Sequence, residues 1–237
     1  MSQEHLVVFD IETIPDSDHH EGDAFPKPPF HIPVAIAFLH AEIKIEGTQE
    51  VYWLKELRCG GTVEYSEHDL LKAFIDFVDK KRPRLVSFNG RSFDLPVIKY
   101  RAMKHDLSAP LLTSRDYSYR YNLDHHCDLL EALTDFGAST RPKLDEVCSV
   151  FGLPGKLGVD GSMVAGMYEA GQIKEIRDYC ELDVLNTYLV YLRYALLSGK
   201  ISPHGYDLAI TDVRNYLKKE RTERPHLGEF LDAWKSA

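Results

Sequence analysis

Four apolar residues, Leu6-Val7-Val8-Phe9, run straight into Asp10-Ile11-Glu12. The stretch HLVVFDIET is short, β-branched and apolar, and reads as a buried strand. In a strand, positions two apart share a face, so Asp10 and Glu12 project together from its end. Two like charges held side by side are costly unless a positive charge lies between them. Hard divalent cations such as Mg²⁺ or Mn²⁺ meet that need with carboxylate oxygens. A solvated strand end is the competing reading, and this stretch alone leaves both open.

The order of elements after that strand sets the fold class. A Pro-, His- and Asp-rich loop (residues 14–33) leads to two further strand candidates, VAIAFLHAEIKIEG and EVYWLKEL, which suggests an antiparallel meander. The periodicity then changes to helical in SEHDLLKAFIDFVDKK, with Ser66 as N-cap. PRLVSFNG is a short buried strand, followed by a helix through DLPVIKYRAMKH with Pro96 in its first turn. A polar, Tyr-rich segment (113–122) precedes CDLLEALTDFG, where Asp128 and Glu131 have capping-box spacing. KLDEVCSVFGL and SMVAGMYEAG are short helices, and residues 172–199 hold the longest one. Strands first, then helices alternating with strand, predict an α/β domain with a mixed central sheet flanked by helices. The reading is one domain over 1–200. Residues 201–237 form a C-terminal helical extension packed on it through Leu227, Phe230, Leu231 and Trp234.

Two more carboxylates stand at element ends. In SFNGRSFDLPVI, a buried strand ends at Asn89-Gly90 and Asp94 opens the next helix, where the macrodipole favours an acid in any case. In DYCELDVLNTYLVYL, Tyr179 and Asp183 are i and i+4 and share a face. Leu182, Leu185, Leu189 and Leu192 form an apolar stripe beside Asp183, and an unpaired carboxylate at the edge of a buried face is expensive.

Taken in order, FD-x-E, N-x-x-x-F-D and Y-x-x-x-D closely resemble the three motifs of DEDD-superfamily 3′–5′ exonucleases, the Tyr marking the DEDDy subtype. NGRSFD is similar to the proofreading domain of family B DNA polymerases. FDIETIPD, KLDEVCSVFGLPGK and YCELDVLNTYLVYLRY resemble stand-alone, PolB-like exonucleases. The resemblance covers residues 6–196 and implies an RNase H-like (DnaQ-like) fold and two divalent metal ions, Mg²⁺ or Mn²⁺. It implies that Asp10 bridges both metals, Glu12 and Asp183 hold the one that activates water, Asp94 supports the other, and Tyr179 orients the water. Thr13, Asn89 and Phe93 resemble positions that touch the terminal nucleotides. The implied activity is hydrolysis at 3′ ends of single-stranded nucleic acid, DNA favoured, releasing nucleoside 5′-monophosphates. RNA trimming, a non-catalytic nucleic-acid-binding module and a small-molecule phosphoesterase are the competing readings. The chain is too short to hold a polymerase domain, so the expectation is that it acts alone or with a separate polymerase or repair partner.

Composition bounds the rest. The 237 residues carry a net charge of −9, which argues against a broad basic nucleic-acid-binding face but leaves room for a local groove. The run from Lys80 to Lys104 (Lys80, Lys81, Arg82, Arg84, Arg91, Lys99, Arg101, Lys104) either lines such a groove or is a solvated helix face. Lys156 is placed to reach a phosphate. His19 and His20 either line the substrate entrance or sit in an ordinary surface loop. DHHCD (124–128) lacks a second ligand pair and is not read as a zinc site. Cys59, Cys127, Cys148 and Cys180 form no CxxC and are expected to be reduced and mostly buried. No apolar run approaches a membrane span and MSQEH does not read as a signal peptide, so the expected location is cytoplasmic.

Overall fold

A computed structural model of the chain describes residues 4–20, 22, 24–60 and 65–236. The polypeptide opens with three long strands, β1 (His5–Pro15), β2 (His31–Glu46) and β3 (Gln49–Cys59). Both neighbouring pairs are antiparallel, as the meander reading expects. Helix α1 (Glu67–Lys81) follows, capped by Ser66 through a bond from the Asp69 amide. It returns the chain to β4 (Arg84–Ser87), which pairs parallel with β1.

Helix α2 (Asp94–Lys104) and two single turns, α3 (Pro110–Thr113) and α4 (Arg115–Ser118), lead to β5 (His126–Asp128). That strand pairs parallel with β4, and the sheet order is β3-β2-β1-β4-β5. Then come α5 (Leu129–Leu133), α6 (Leu144–Phe151), α7 (Val164–Glu169), the 25-residue α8 (Ile173–Leu197), α9 (Pro203–Glu220) and α10 (Pro225–Ser236). The result is a mixed five-stranded sheet with helices on both faces, an RNase H-like exonuclease fold.

Strand alternation sends the two halves of β1 to different cores. Val7, Phe9 and Ile11 pack with α1 to α4, whereas Leu6 and Val8 pack with α6 to α10. Helix α8 is the centre of the second core and buries Val184, Leu185, Tyr188, Leu189, Tyr191 and Leu192 completely or nearly so. Leu227, Phe230, Leu231 and Trp234 of α10 close the same core. All four cysteines are free and buried. Among the described residues no helix is long and apolar enough to cross a membrane.

Three elements differ from the sequence reading. The β1–β2 ladder runs on to Pro15 and His31, so the loop is shorter than residues 14–33. The HCD of DHHCD is strand β5: Cys127 lies in the core and His126 is fully buried with its ring against Ser87 Oγ at 2.9 Å. Three residues are too few to show a period, so this strand carries no local signal. Asp128 caps α5 as expected, but the reciprocal half of the capping box is absent because the Glu131 carboxylate is engaged by Arg91 and Arg120.

Candidate active site

The carboxyl ends of β1, β4 and β5 meet at one place, where α/β sheets usually bind their ligands. On β1, Asp10 and Glu12 continue the α8-facing series begun by Leu6 and Val8. Their partners across the ladder are Ala37 and Ala35, whose small side chains leave the space above the sheet open. The register breaks immediately after Glu12, where β2 contributes one extra residue. Such a bulge bends the strand and re-aims what lies at its end.

The chain leaves β4 through a turn that delivers Asp94. Asn89, not Gly90, takes the left-handed conformation there, with φ +69°. Asparagine tolerates that region because its short polar side chain bonds locally. Gly90 is required for space instead: a Cβ on it would fall 2.6 Å from Ser87 Cβ. Asp128, buried at the end of β5, holds the turn by accepting the Asn89 amide at 3.0 Å and the Arg91 amide at 2.8 Å. Asp94 then starts α2 and accepts the amide of Ile11, the residue between Asp10 and Glu12, at 3.2 Å, which sets it beside β1.

Helix α8 covers the other side. Tyr179 and Asp183 lie one turn apart, and the Tyr179 hydroxyl acts to lower the Asp183 carboxyl pKa. Cys180, between them, points its thiol at Asp10, 3.5 Å from the main-chain oxygen and 3.7 Å from Oδ2. One ligand atom each from Asp10, Glu12 and Cys180 lie within 4.8 Å of one another. Lys156 sets its ammonium 6.0 Å from the centre of the Tyr179 ring and pairs with Asp160 at 2.6 Å.

The electrostatics are those of an uncompensated acidic cluster. Burial pushes the Asp10 carboxyl well above its usual range, and Asp94, then Glu12 and Asp183, push it further. Glu12 is raised by burial and then by Asp183 and Asp94, with Lys156 opposing. Burial lifts Asp94 to about 7, against the bonds it accepts from its own and the Ile11 amide. Burial lifts Asp183 to about 6, opposed by Tyr179 and Lys156. Asp94 and Asp183 thus act on both Asp10 and Glu12, Asp94 more strongly on Asp10 and Asp183 more strongly on Glu12. Burial and the neighbouring acids raise the Tyr179 hydroxyl, so it stays protonated. All-oxygen carboxylate donors, drawn together without a matching cation, fit hard divalent metal ions.

The three remaining sequence candidates border this cluster. Thr13 Oγ1 meets His31 Nδ1 at 2.8 Å. Because His31 Nε2 faces the Pro26 carbonyl at 3.0 Å, that nitrogen carries the proton and the Thr13 hydroxyl donates to Nδ1. Phe93 packs edge-on to His31 and against Phe25, whose own ring is 78% exposed. Asn89 Oδ1 accepts a 2.7 Å bond from Arg141, which sequence reasoning passed over. Asp128 and Cys180 were passed over too, since each acts across more than 35 residues of intervening chain.

The basic run does not form a groove at the site. Arg84 is buried on Glu50, Arg101 on Asp16 and Glu67, and Arg91 is spent on Glu131 and on main-chain carbonyls. Lys80, Lys81 and Arg82 line a cavity of about 1050 Å³ beside His5, at the far end of β1 from the carboxylates. His19 bonds Asp16 and His20 the Ala24 carbonyl, within their own loop.

Residues 23–234 match the model of a family described as predicted 3′–5′ exonucleases related to the exonuclease domain of PolB. The chain belongs to that family. Asp10 and Glu12 lie before the first matched residue of this PolB-like exonuclease domain. A DNA polymerase of Pyrococcus glycovorans is 34% identical over 107 residues, covering 45% of this chain and 12% of the polymerase. A DNA polymerase of Thermococcus aggregans is 33% identical over 112 residues, 47% of this chain and 5% of the polymerase. The chain thus spans only a small part of these relatives. Among solved structures, the family B DNA polymerase of Pyrobaculum calidifontis superposes with a TM-score of 0.54 at 19% identity, over 93% of this chain and 29% of the polymerase. That likeness bears on the fold.

Proposed function

We propose that the chain is a metal-dependent 3′–5′ exonuclease of the Tyr (DEDDy) subtype that removes nucleoside 5′-monophosphates from single-stranded ends, DNA favoured over RNA. The observation that carries this reading is that burial lifts Asp10, Glu12, Asp94 and Asp183 alike, that Asp94 and Asp183 act on both Asp10 and Glu12, and that Lys156 opposes this only at Glu12 and Asp183. Asp10, Glu12, Asp94 and Asp183 would be the residues that hold the divalent ions. Divalent ions bound there lower the pKa of water and neutralise the charge that develops on a phosphodiester under attack.

The protein's own groups then have distinct tasks. The Tyr179 hydroxyl, one helical turn from Asp183, has a lone pair with which to orient a water by accepting one of its protons. Its raised pKa keeps it in that role at every physiological pH. Lys156, above Tyr179, is placed to meet a non-bridging phosphate oxygen. Phe93, buttressed by His31, offers a ring to the terminal base, and Thr13 and Asn89 present polar groups to its sugar and phosphate.

A gel assay on 5′-labelled single-stranded DNA and RNA, with Mg²⁺ or Mn²⁺, tests the reading. A metal-dependent ladder shortening from the 3′ end, lost in Asp183→Asn, is expected, with DNA degraded faster. Intact strands in both metals, still bound by the protein, would mean a binding module and not a nuclease.

A further inference from the structure

The segment Tyr119-Arg120-Tyr121 joins α4 to β5 and takes no part in the site described above. Its rings face solvent: Tyr119 is 55% and Tyr121 54% exposed. They meet edge to face with centroids 5.6 Å apart. Phe136 stands against the other side of Tyr121 at 4.5 Å. The Arg120 guanidinium lies over both, 5.7 Å from the centre of Tyr121 and 5.8 Å from that of Phe136.

The group is built, not left over. Asp135 and Phe136 both take left-handed backbone, φ +47° and +57°, which side chains other than glycine rarely adopt. Arg120 is fixed by Glu131 Oε1 at 2.6 Å and donates to the Phe136 carbonyl at 3.5 Å. Glu131 also holds Arg91 at 3.3 Å, with Asp128 acting on Arg91 as well, while Arg120 keeps 44% of its side chain exposed.

That bridge also ties the aromatic group to the carboxylate site. Arg91 belongs to the turn, 89–92, that delivers Asp94. Arg141 grips the same turn through Asn89 Oδ1 at 2.7 Å and Ser92 Oγ at 3.4 Å. The aromatic group is therefore anchored, through Glu131 and Arg91, to the turn that delivers Asp94.

We propose that Tyr119, Arg120, Tyr121 and Phe136 form a second binding site, a stacking platform for bases 5′ of the terminal nucleotide. The inference rests on the exonuclease reading and deepens it. Aromatic rings stack on any base and arginine meets the backbone charge, so the platform is indifferent to sequence. A strand long enough to reach it is held at two places, a short one only at the carboxylates.

The test compares wild type with Tyr119→Ala/Tyr121→Ala and with Tyr119→Phe/Tyr121→Phe, which keeps the rings. Hydrolysis with Mn²⁺ is followed on a dinucleotide and on strands of about 4–16 nucleotides, the span of known stacking grooves. In wild type and the Phe variant kcat/KM rises with length. In the Ala variant it stays flat and falls about tenfold or more behind on the longest strand. Dinucleotide hydrolysis is the same in all three. Equal length dependence in wild type and Ala variant overturns the platform and leaves the exonuclease intact. If wild type hydrolyses nothing, the exonuclease reading fails by itself. Fluorescence anisotropy of the same strands in EDTA then decides the platform, which requires the tenfold weaker binding in the Ala variant without metal.

Discussion

At one end of the face covered by α8, Glu50 of β3 meets Arg84 of β4 through two bonds of 2.6 and 2.8 Å. Arg84 also reaches the Tyr191 hydroxyl at 3.0 Å and the Asp124 carbonyl at 3.3 Å. At the other end, two turns back along α8, Lys156 is the cation facing Glu12 and Asp183, with Asp10 and Asp94 completing the acid group. Burial pushes carboxyl pKa values up at both ends. At the first end the arginine overrides it and Glu50 is held below its usual range. At the second nothing overrides it, and all four acids sit above theirs. The same sheet, helix and depth therefore hold one charge group that is complete as folded and one that is completed only by something from outside. Buried acids by themselves mark neither structure nor function; the missing countercharge makes the distinction.

Breaking the paired end should have the largest effect. Arg84→Ala strands Glu50 and the Tyr191 hydroxyl, and removal of one partner of a buried pair costs about 3–5 kcal/mol. Chemical denaturation should show that loss; an unchanged midpoint would mean the pair contributes no more than a surface bridge.

The reverse experiment belongs at the unpaired end. Glu12→Gln removes a repelled charge, so the metal-free fold should be as stable as wild type or more so. Turnover should nevertheless fall about 10²–10³-fold, equivalent to about 3–4 kcal/mol of charge stabilisation. A variant that loses stability and activity together would place Glu12 in the scaffold.

The two ends also separate by pH. Asp94 titrates near 7 and Asp183 near 6 when folded, both starting from 3.8. The folded chain therefore binds more protons than the unfolded one between those limits, and stability falls as pH rises through them. Glu50, with its lowered pKa, contributes stability that is present above its unfolded value and is lost only as pH drops below it. In EDTA the melting temperature should thus decline from about pH 5 to about pH 8, and Asp94→Asn should flatten that slope. A rising slope in wild type would show that the cluster finds its countercharge within the chain.

A smaller effect is expected from Tyr179→Phe, which keeps the buried ring and removes the hydroxyl that lowers Asp183. Loss of such a supporting group costs about 10–100-fold in activity, and here it should appear in kcat with KM unchanged.

The unpaired end was the more legible of the two in the sequence. Asp10 and Glu12 declare themselves by strand alternation, Asp94 by opening a helix, Tyr179 and Asp183 by helical spacing. Each is a local pattern, and the resemblance to exonuclease motifs assembles them. The paired end shows only as an arginine in a basic run, because Glu50 and Arg84 lie 34 residues apart and meet only when β3 and β4 face α8. The same limit hid the hold of Asp128 on the 89–92 turn and the parts of Cys180 and Arg141, and left a three-residue strand unread. The left-handed residue in the β4–α2 turn was legible in principle, since Asn89 is the better signal once Gly90 is recognised as a steric requirement.

The account stands most directly on whether the four acids await a metal. Thermal melts of wild type and Asp10→Asn, each titrated with Mn²⁺ at neutral pH, measure this without any substrate. Wild type should be stabilised progressively by the ion, as a ligand of the folded state alone must do. Asp10→Asn should melt at or above metal-free wild type and respond little to Mn²⁺. An Asp10→Asn protein that melts lower yet keeps the full Mn²⁺ response would contradict the account, because the acids would then be serving the fold and the ion would be binding elsewhere.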